Sequence, residues 1–222
     1  MRADPVVRPV AILILVLVLA GACGSESDGT ADTPNAGSSP NDGLLVIEEE
    51  VRVAFEIDSV TRVDLERDIA LGYLGSLASG PCGGSVENFV PTEVVSRQFV
   101  DAASGELLMI EIVATFRGDA SGFVQGLQRD LGDGCQREVE LSVGSGVFAE
   151  TTVIPLQFDG RESEVVGWVA EVILEGDSTH IASVMGWSGP YFLILEVGGP
   201  EPFSSQAVQR LAVDVFARLE ER

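Results

Sequence analysis

PCGGSVENFVPTEVVSRQFVDAASGELLMIEIVATFRGDASGFVQGLQRDLGDGC, residues 81–135, is the stretch whose reading decides the fold. Residues 94–100 alternate, with Val95, Arg97 and Phe99 set against Val94, Ser96, Gln98 and Val100. Asp101-Ala102-Ala103-Ser104-Gly105 supplies a turn. Residues 106–116 follow as a strand apolar on nearly both sides, as a central strand must be. Asp119 is placed to cap a helix by accepting a free backbone N–H. Phe123, Leu127 and Leu131 recur four apart on one helical face. Gly132 stops that helix, because glycine tolerates positive φ. The stretch therefore predicts a hairpin followed by a helix, bracketed by Cys82 and Cys135.

Working outward toward the C-terminus, residues 135–143 alternate as a half-exposed strand. Residues 153–158 carry Pro155, which suits a sheet edge. Asp159-Gly160 is a hairpin turn signal. Residues 165–174, 180–187 and 191–197 are three strand-like runs with short turns between them, which predicts an antiparallel meander. The last segment is a helix capped by Ser204, with Phe203 and Val208 spaced for a hydrophobic staple. Val208, Leu211, Ala212, Val215, Phe216 and Leu219 form its apolar stripe.

Toward the N-terminus, residues 60–77 show helical spacing through Val63, Ala70, Leu74 and Leu77. Residues 44–47 and 51–55 flank Glu48-Glu49-Glu50 and read as an irregular or strand-like lead-in. Strand pairs flanked by helices, without a strand–helix–strand rhythm, predict an α+β fold: a single domain with one antiparallel sheet packed against amphipathic helices.

Residues 1–22 read as an export signal. Arg2 and Arg8 form its charged start, and an apolar run of about ten residues follows, too short to span a bilayer as a helix. Leu19-Ala20-Gly21-Ala22-Cys23 resembles the lipobox of bacterial lipoproteins. That resemblance implies cleavage before Cys23 and attachment of palmitate-type acyl chains there. Two acyl chains anchor stably where one does not. Residues 23–43 then make a lipidated cysteine and a flexible tether, rich in Ser, Gly, Asp, Thr, Pro and Asn, with an r.m.s. reach of about 25 Å. Residues 44–222 form the extracytoplasmic α+β domain. The expected location is the outer face of the cell membrane.

The chain has 222 residues and three cysteines. In an exported protein, Cys82 and Cys135 read as a disulfide. It would close a loop of roughly 50 residues and contribute about 4 kcal/mol on the chain-entropy model. The formal net charge is -22, and all 13 basic residues are arginine. Such charge argues against nucleic-acid partners and against docking on anionic lipid.

No catalytic set emerges. His180 is the sole histidine, so no His-based metal cluster is expected, and no cofactor. Gly186-Trp187-Ser188-Gly189-Pro190 imitates a nucleophile elbow, but its context is strand–turn–strand and its second glycine falls early. Asp130-Leu131-Gly132-Asp133-Gly134 lacks calcium-loop spacing. Gly144-Ser145-Gly146 lacks the third glycine of a dinucleotide loop. Trp168, Trp187, Tyr191 and Phe192 either line an apolar cavity or fill the core, and core is the preferred reading.

The order of leader, lipobox-like cysteine, acidic tether, Pro-Cys turn, strand pair, helix ending in Gly-Cys, meander and C-terminal amphipathic helix resembles the actinobacterial sensor-domain lipoproteins. These are similar to the extracellular sensor domain of a mycobacterial receptor Ser/Thr kinase. Members usually carry two disulfides, and an aromatic residue where Gly134 stands here. The resemblance implies a ligand-sensing or binding role in the cell envelope. The expectation is thus a membrane-anchored, non-catalytic binding or sensing domain, with the ligand-binding residues unknown and a small ligand or an envelope protein as partner. The alternatives are a carboxylate-based envelope hydrolase, which needs two facing carboxylates in a groove, and a structural or chaperone-like envelope protein, which needs a broad exposed apolar patch.

Overall fold

The computed structural model describes residues 44–77, 91–116, 121–132, 135–140, 148–161, 164–174, 177–199, 202 and 204–221. The elements among them run α1 (Glu48–Phe55), β1 (Val60–Asp64), α2 (Arg67–Leu77), β2 (Glu93–Asp101), β3 (Leu107–Thr115), α3 (Ser121–Leu131), β4 (Cys135–Glu140), β5 (Phe148–Leu156), β6 (Val165–Leu174), β7 (Asp177–Ser188), β8 (Tyr191–Gly199) and α4 (Ser205–Glu220). The leader, Cys23, the tether and Cys82 lie outside the described residues. So do Asp119, Gly134, Gly144-Ser145-Gly146 and Phe203.

All eight strands form one sheet in the order β1-β2-β3-β8-β7-β6-β5-β4. Every neighbouring pair is antiparallel. The chain builds this sheet from both edges inward. It lays down β1, β2 and β3 and then α3. It begins again at the far edge with β4 and works back to β8, which seats against β3. The two halves therefore meet on the most apolar strands, with Ile112 opposite Ile194 and Val113 opposite Leu193. The architecture is α+β, as the periodicities predict.

Side chains alternate across the sheet, and helices cover both faces. Met109 and Val113 of β3, Val184 of β7 and Leu193 and Leu195 of β8 pack with α4 and with residues 44–46. Ile110, Ile112, Met185, Phe192 and Ile194 pack on the other face with Leu74 of α2 and with Val124, Leu127 and Leu131 of α3. The α4 stripe is buried as expected: Val208, Leu211, Ala212, Val215, Phe216 and Leu219 all face the sheet side. Burying each such side chain is worth about 1.5–3 kcal/mol. Ser204 caps the helix, its Oγ accepting the Ala207 N–H at 3.4 Å.

Gly186 lets α4 lie close. A Cβ built there would meet Phe216 Cζ at 2.2 Å and the Glu164 carbonyl at 2.8 Å. The first glycine of the elbow-like motif thus has a packing role, and the motif runs from β7 through a turn at Gly189 into β8.

Three expectations need correction. Residues 48–55 form a helix, not a strand-like lead-in. The three glutamates occupy its first turn, where negative charge complements the helix dipole. The Ile47 N–H donates to Glu50 Oε2 at 2.9 Å. Residues 60–64 form edge strand β1, not the front of a helix; β-branched Val60, Thr61 and Val63 suit a strand paired with β2. Only residues from Arg67 onward are helical, and there Ala70 and Leu74 are buried as expected. Finally, β5 is not an edge strand, because β4 pairs beyond it. Pro155 is still tolerated: the β4 pairing stops at Val153, and Pro155 is opposed only by Trp168 of β6.

Candidate functional site

The one strongly perturbed ionisable group among the described residues lies at the centre of the sheet. Glu111 is the only acid in β3. It stands between Arg97 of β2 and Leu195 of β8 and is 0% exposed. Its Oε2 accepts the backbone N–H of Val46 at 2.8 Å. Its Oε1 is buried without a hydrogen-bond partner. Burial pushes the carboxyl up to about 8; the Val46 N–H and the charges of Arg218 and Arg97 pull the other way.

The arginines near Glu111 are committed elsewhere. Arg97, itself buried, donates from Nη1 to the Val46 carbonyl at 3.3 Å. Its Nε stands 3.5 Å from Asp64 Oδ1 on β1. Arg218 of α4 donates to Glu50 Oε1 of α1 at 2.7 Å. Val46 is thereby gripped at both backbone groups by side chains of neighbouring strands. Leu44, Leu45 and Val46 are at most 1% exposed. The first described residues of the domain are threaded into its core beneath α1.

Two grooves open on the same face of the sheet. One, of about 350 Å³, runs between α1 and α4 and is lined by Glu49, Glu50, Val53, Arg210, Leu211 and Asp214. The other, of about 300 Å³, lies where α4 leaves β5, β6 and β7 uncovered. Its apolar wall includes Ile154 and Val169, and its polar wall includes His180, Glu171 and Ser205. His180 pairs across the ladder with Glu171, whose Oε1 accepts the Ser178 hydroxyl at 2.7 Å. Among the described residues, no three His, Cys, Asp or Glu side chains are grouped to hold a metal ion.

The sequence-predicted residues are dispersed. Cys135 opens β4 opposite Val153, while Cys23 and Cys82 lie outside the described residues. The four aromatic residues do not line a common cavity. Trp168 and Phe192 are core on the α2/α3 face, with Trp187 against them, whereas Tyr191 packs on the opposite face. Phe192 meets Phe116 edge to face, with ring centroids 6.0 Å apart. Motif and spacing do not single out Glu111, although a lone acid within a strand apolar on both faces is a signal that finds it.

No family model matches the chain, and no curated protein matches it in sequence. Among solved structures it is similar to the extracellular domain of PknH from Mycobacterium tuberculosis. The two share 11% identity with a TM-score of 0.53, over 81% of this chain and 94% of that one. The likeness is one of fold: a single antiparallel sheet flanked by helices. It agrees with the α+β fold that the element order predicts.

Proposed function

We propose that the chain is an extracytoplasmic, lipid-anchored domain that senses or binds a ligand and does not transform it. The carrying observation is the fold shared with an extracellular domain. The leader ending in Cys23 and the acidic, polar tether support the same reading from an independent part of the chain. Acylation of Cys23 holds the domain at the membrane, and a Cys82–Cys135 disulfide ties β4 to the segment after α2. The ligand surface we favour is the groove over β5, β6 and β7. There apolar Ile154 and Val169 lie beside hydrogen-bonding His180, Glu171 and Ser205, the mix that small-ligand sites use.

Intact-mass measurement of the chain recovered from membranes of an actinobacterial host tests the anchor and the disulfide together. The expected species begins at Cys23, carries acyl chains, and is two mass units lighter than its reduced form, about one per thiol proton lost. The Cys23→Ala variant should leave the membrane fraction. A chain of full length with unmodified Cys23 would overturn the anchor.

A further inference from the structure

We propose that residues 44–55 are a proton-controlled latch: neutral Glu111 fastens them to the sheet, and ionised Glu111 releases them while the rest of the fold stays formed. The segment is held by side chains and not by strand pairing: Leu44, Leu45, Val46 and Val51 are buried and Phe55 packs beside them, Glu48 pairs with Arg62 of β1, Glu50 pairs with Arg218, and two side chains grip Val46. None of its backbone pairs with a strand of the sheet. It precedes β1 in the chain, so its release opens no strand ladder.

Glu111 is built for a neutral carboxyl. One oxygen accepts an amide N–H, the other has no partner, and no ion pair joins it to either arginine. From β2 it faces Arg97, behind which stands Asp64 of β1; from α4, Arg218; from α1, Glu50; from β8, apolar Leu195. The two cations are each engaged with another acceptor, and Glu50 adds a like charge. Ionising Glu111 therefore places a fully buried charge that Arg97 and Arg218 offset only in part, and moving the segment above it away lets water reach it. Burial raises its titration to about 8, so the change falls near neutral pH. On a lipid-tethered chain, release would lengthen the tether and bare the apolar bed of Leu44 and Leu45. That consequence rests on the proposed anchoring, but the latch itself does not.

Hydrogen exchange of the full chain at pH 6 and pH 9, corrected for intrinsic amide rates, tests the proposal. Protection over residues 44–55 should fall at least about tenfold, while β6, β7 and β8 stay protected. Glu111→Gln, which keeps an acceptor for Val46 and cannot ionise, should hold the segment at both pH values. Glu111→Met, which lacks the acceptor, should weaken protection equally at both. The latch is overturned if wild-type protection over 44–55 is independent of pH. It is overturned equally if protection falls uniformly across the domain, or if either variant keeps the wild-type pH dependence.

Discussion

The two faces of the sheet bury their polar groups differently. On the α2/α3 face, the buried polar side chains of the sheet are hydroxyls: Ser96, Thr179 and Ser183. Ser96 Oγ donates to the Leu65 carbonyl at 3.5 Å, and Ser183 Oγ to Glu196 Oε2 at 3.0 Å. On the α1/α4 face, the buried polar groups are charged: Arg97 and Glu111. A hydroxyl can be satisfied by one neighbour, whereas a buried carboxylate needs compensation that Arg97 and Arg218 give Glu111 only in part. The first face therefore carries no fully buried ionisable side chain among the described residues. The second carries a group whose ionisation changes stability with pH, placed against the first described residues.

The sharpest way to break this contrast is to cut the apolar packing on each face. Phe216→Ala on the α1/α4 face and Phe192→Ala on the α2/α3 face should each destabilise the domain by about 3–5 kcal/mol in denaturant melts. Both rings are at most 1% exposed, so equal losses would mean that the faces differ in charge and not in packing. Gly186→Val should be comparably severe, because the added Cβ overlaps the Phe216 ring and the Glu164 carbonyl.

A smaller effect separates the faces directly. Glu111 has a folded pKa raised above the ordinary 4.5. Its contribution is fully present below about 4.5 and is lost as pH rises toward about 8. The melting temperature should thus be higher at pH 5.5 than at pH 8.5, and Glu111→Gln should remove most of that difference. Surface carboxylates such as Glu220, held low by its hydrogen bonds from Arg161, act in the opposite sense at lower pH.

The smallest effects lie at the ends of helices. Ser204→Ala should cost about 1 kcal/mol through loss of the α4 cap. Glu56 ends α1 in the left-handed region at φ 56°. Glu56→Gly should therefore stabilise by up to about 1 kcal/mol in the same melts. Removing the exposed Arg161–Glu220 pair with Glu220→Ala should change stability by less than about 1 kcal/mol.

How much of this was legible in the sequence varies with periodicity. The stripe of α4, the β2–β3 hairpin and the β6–β7–β8 meander stand out because burial follows one period over many residues. The helix α1 does not: Val51-Arg52-Val53-Ala54-Phe55 alternates like a strand, and only Val51 is buried. Its end is hidden too, since Glu56 takes a conformation that glycine would have advertised. Strand β1 reads as helix because Val63 stands seven residues before Ala70 and so continues the stripe of Ala70, Leu74 and Leu77, and its edge position leaves it too exposed to reveal a period of two. Glu111 breaks an apolar strand, which is visible, but its partner Val46 lies 65 residues away. No local pattern encodes that contact.

The most direct test is the titration of the Glu111 side-chain carboxyl carbon by NMR in the folded chain. The account predicts a midpoint far above 4.5, near 8, with amide shifts at Val46 moving along the same curve. A midpoint in the ordinary carboxylate range, or a Val46 amide indifferent to it, would contradict the claim that this face of the sheet holds a buried neutral acid.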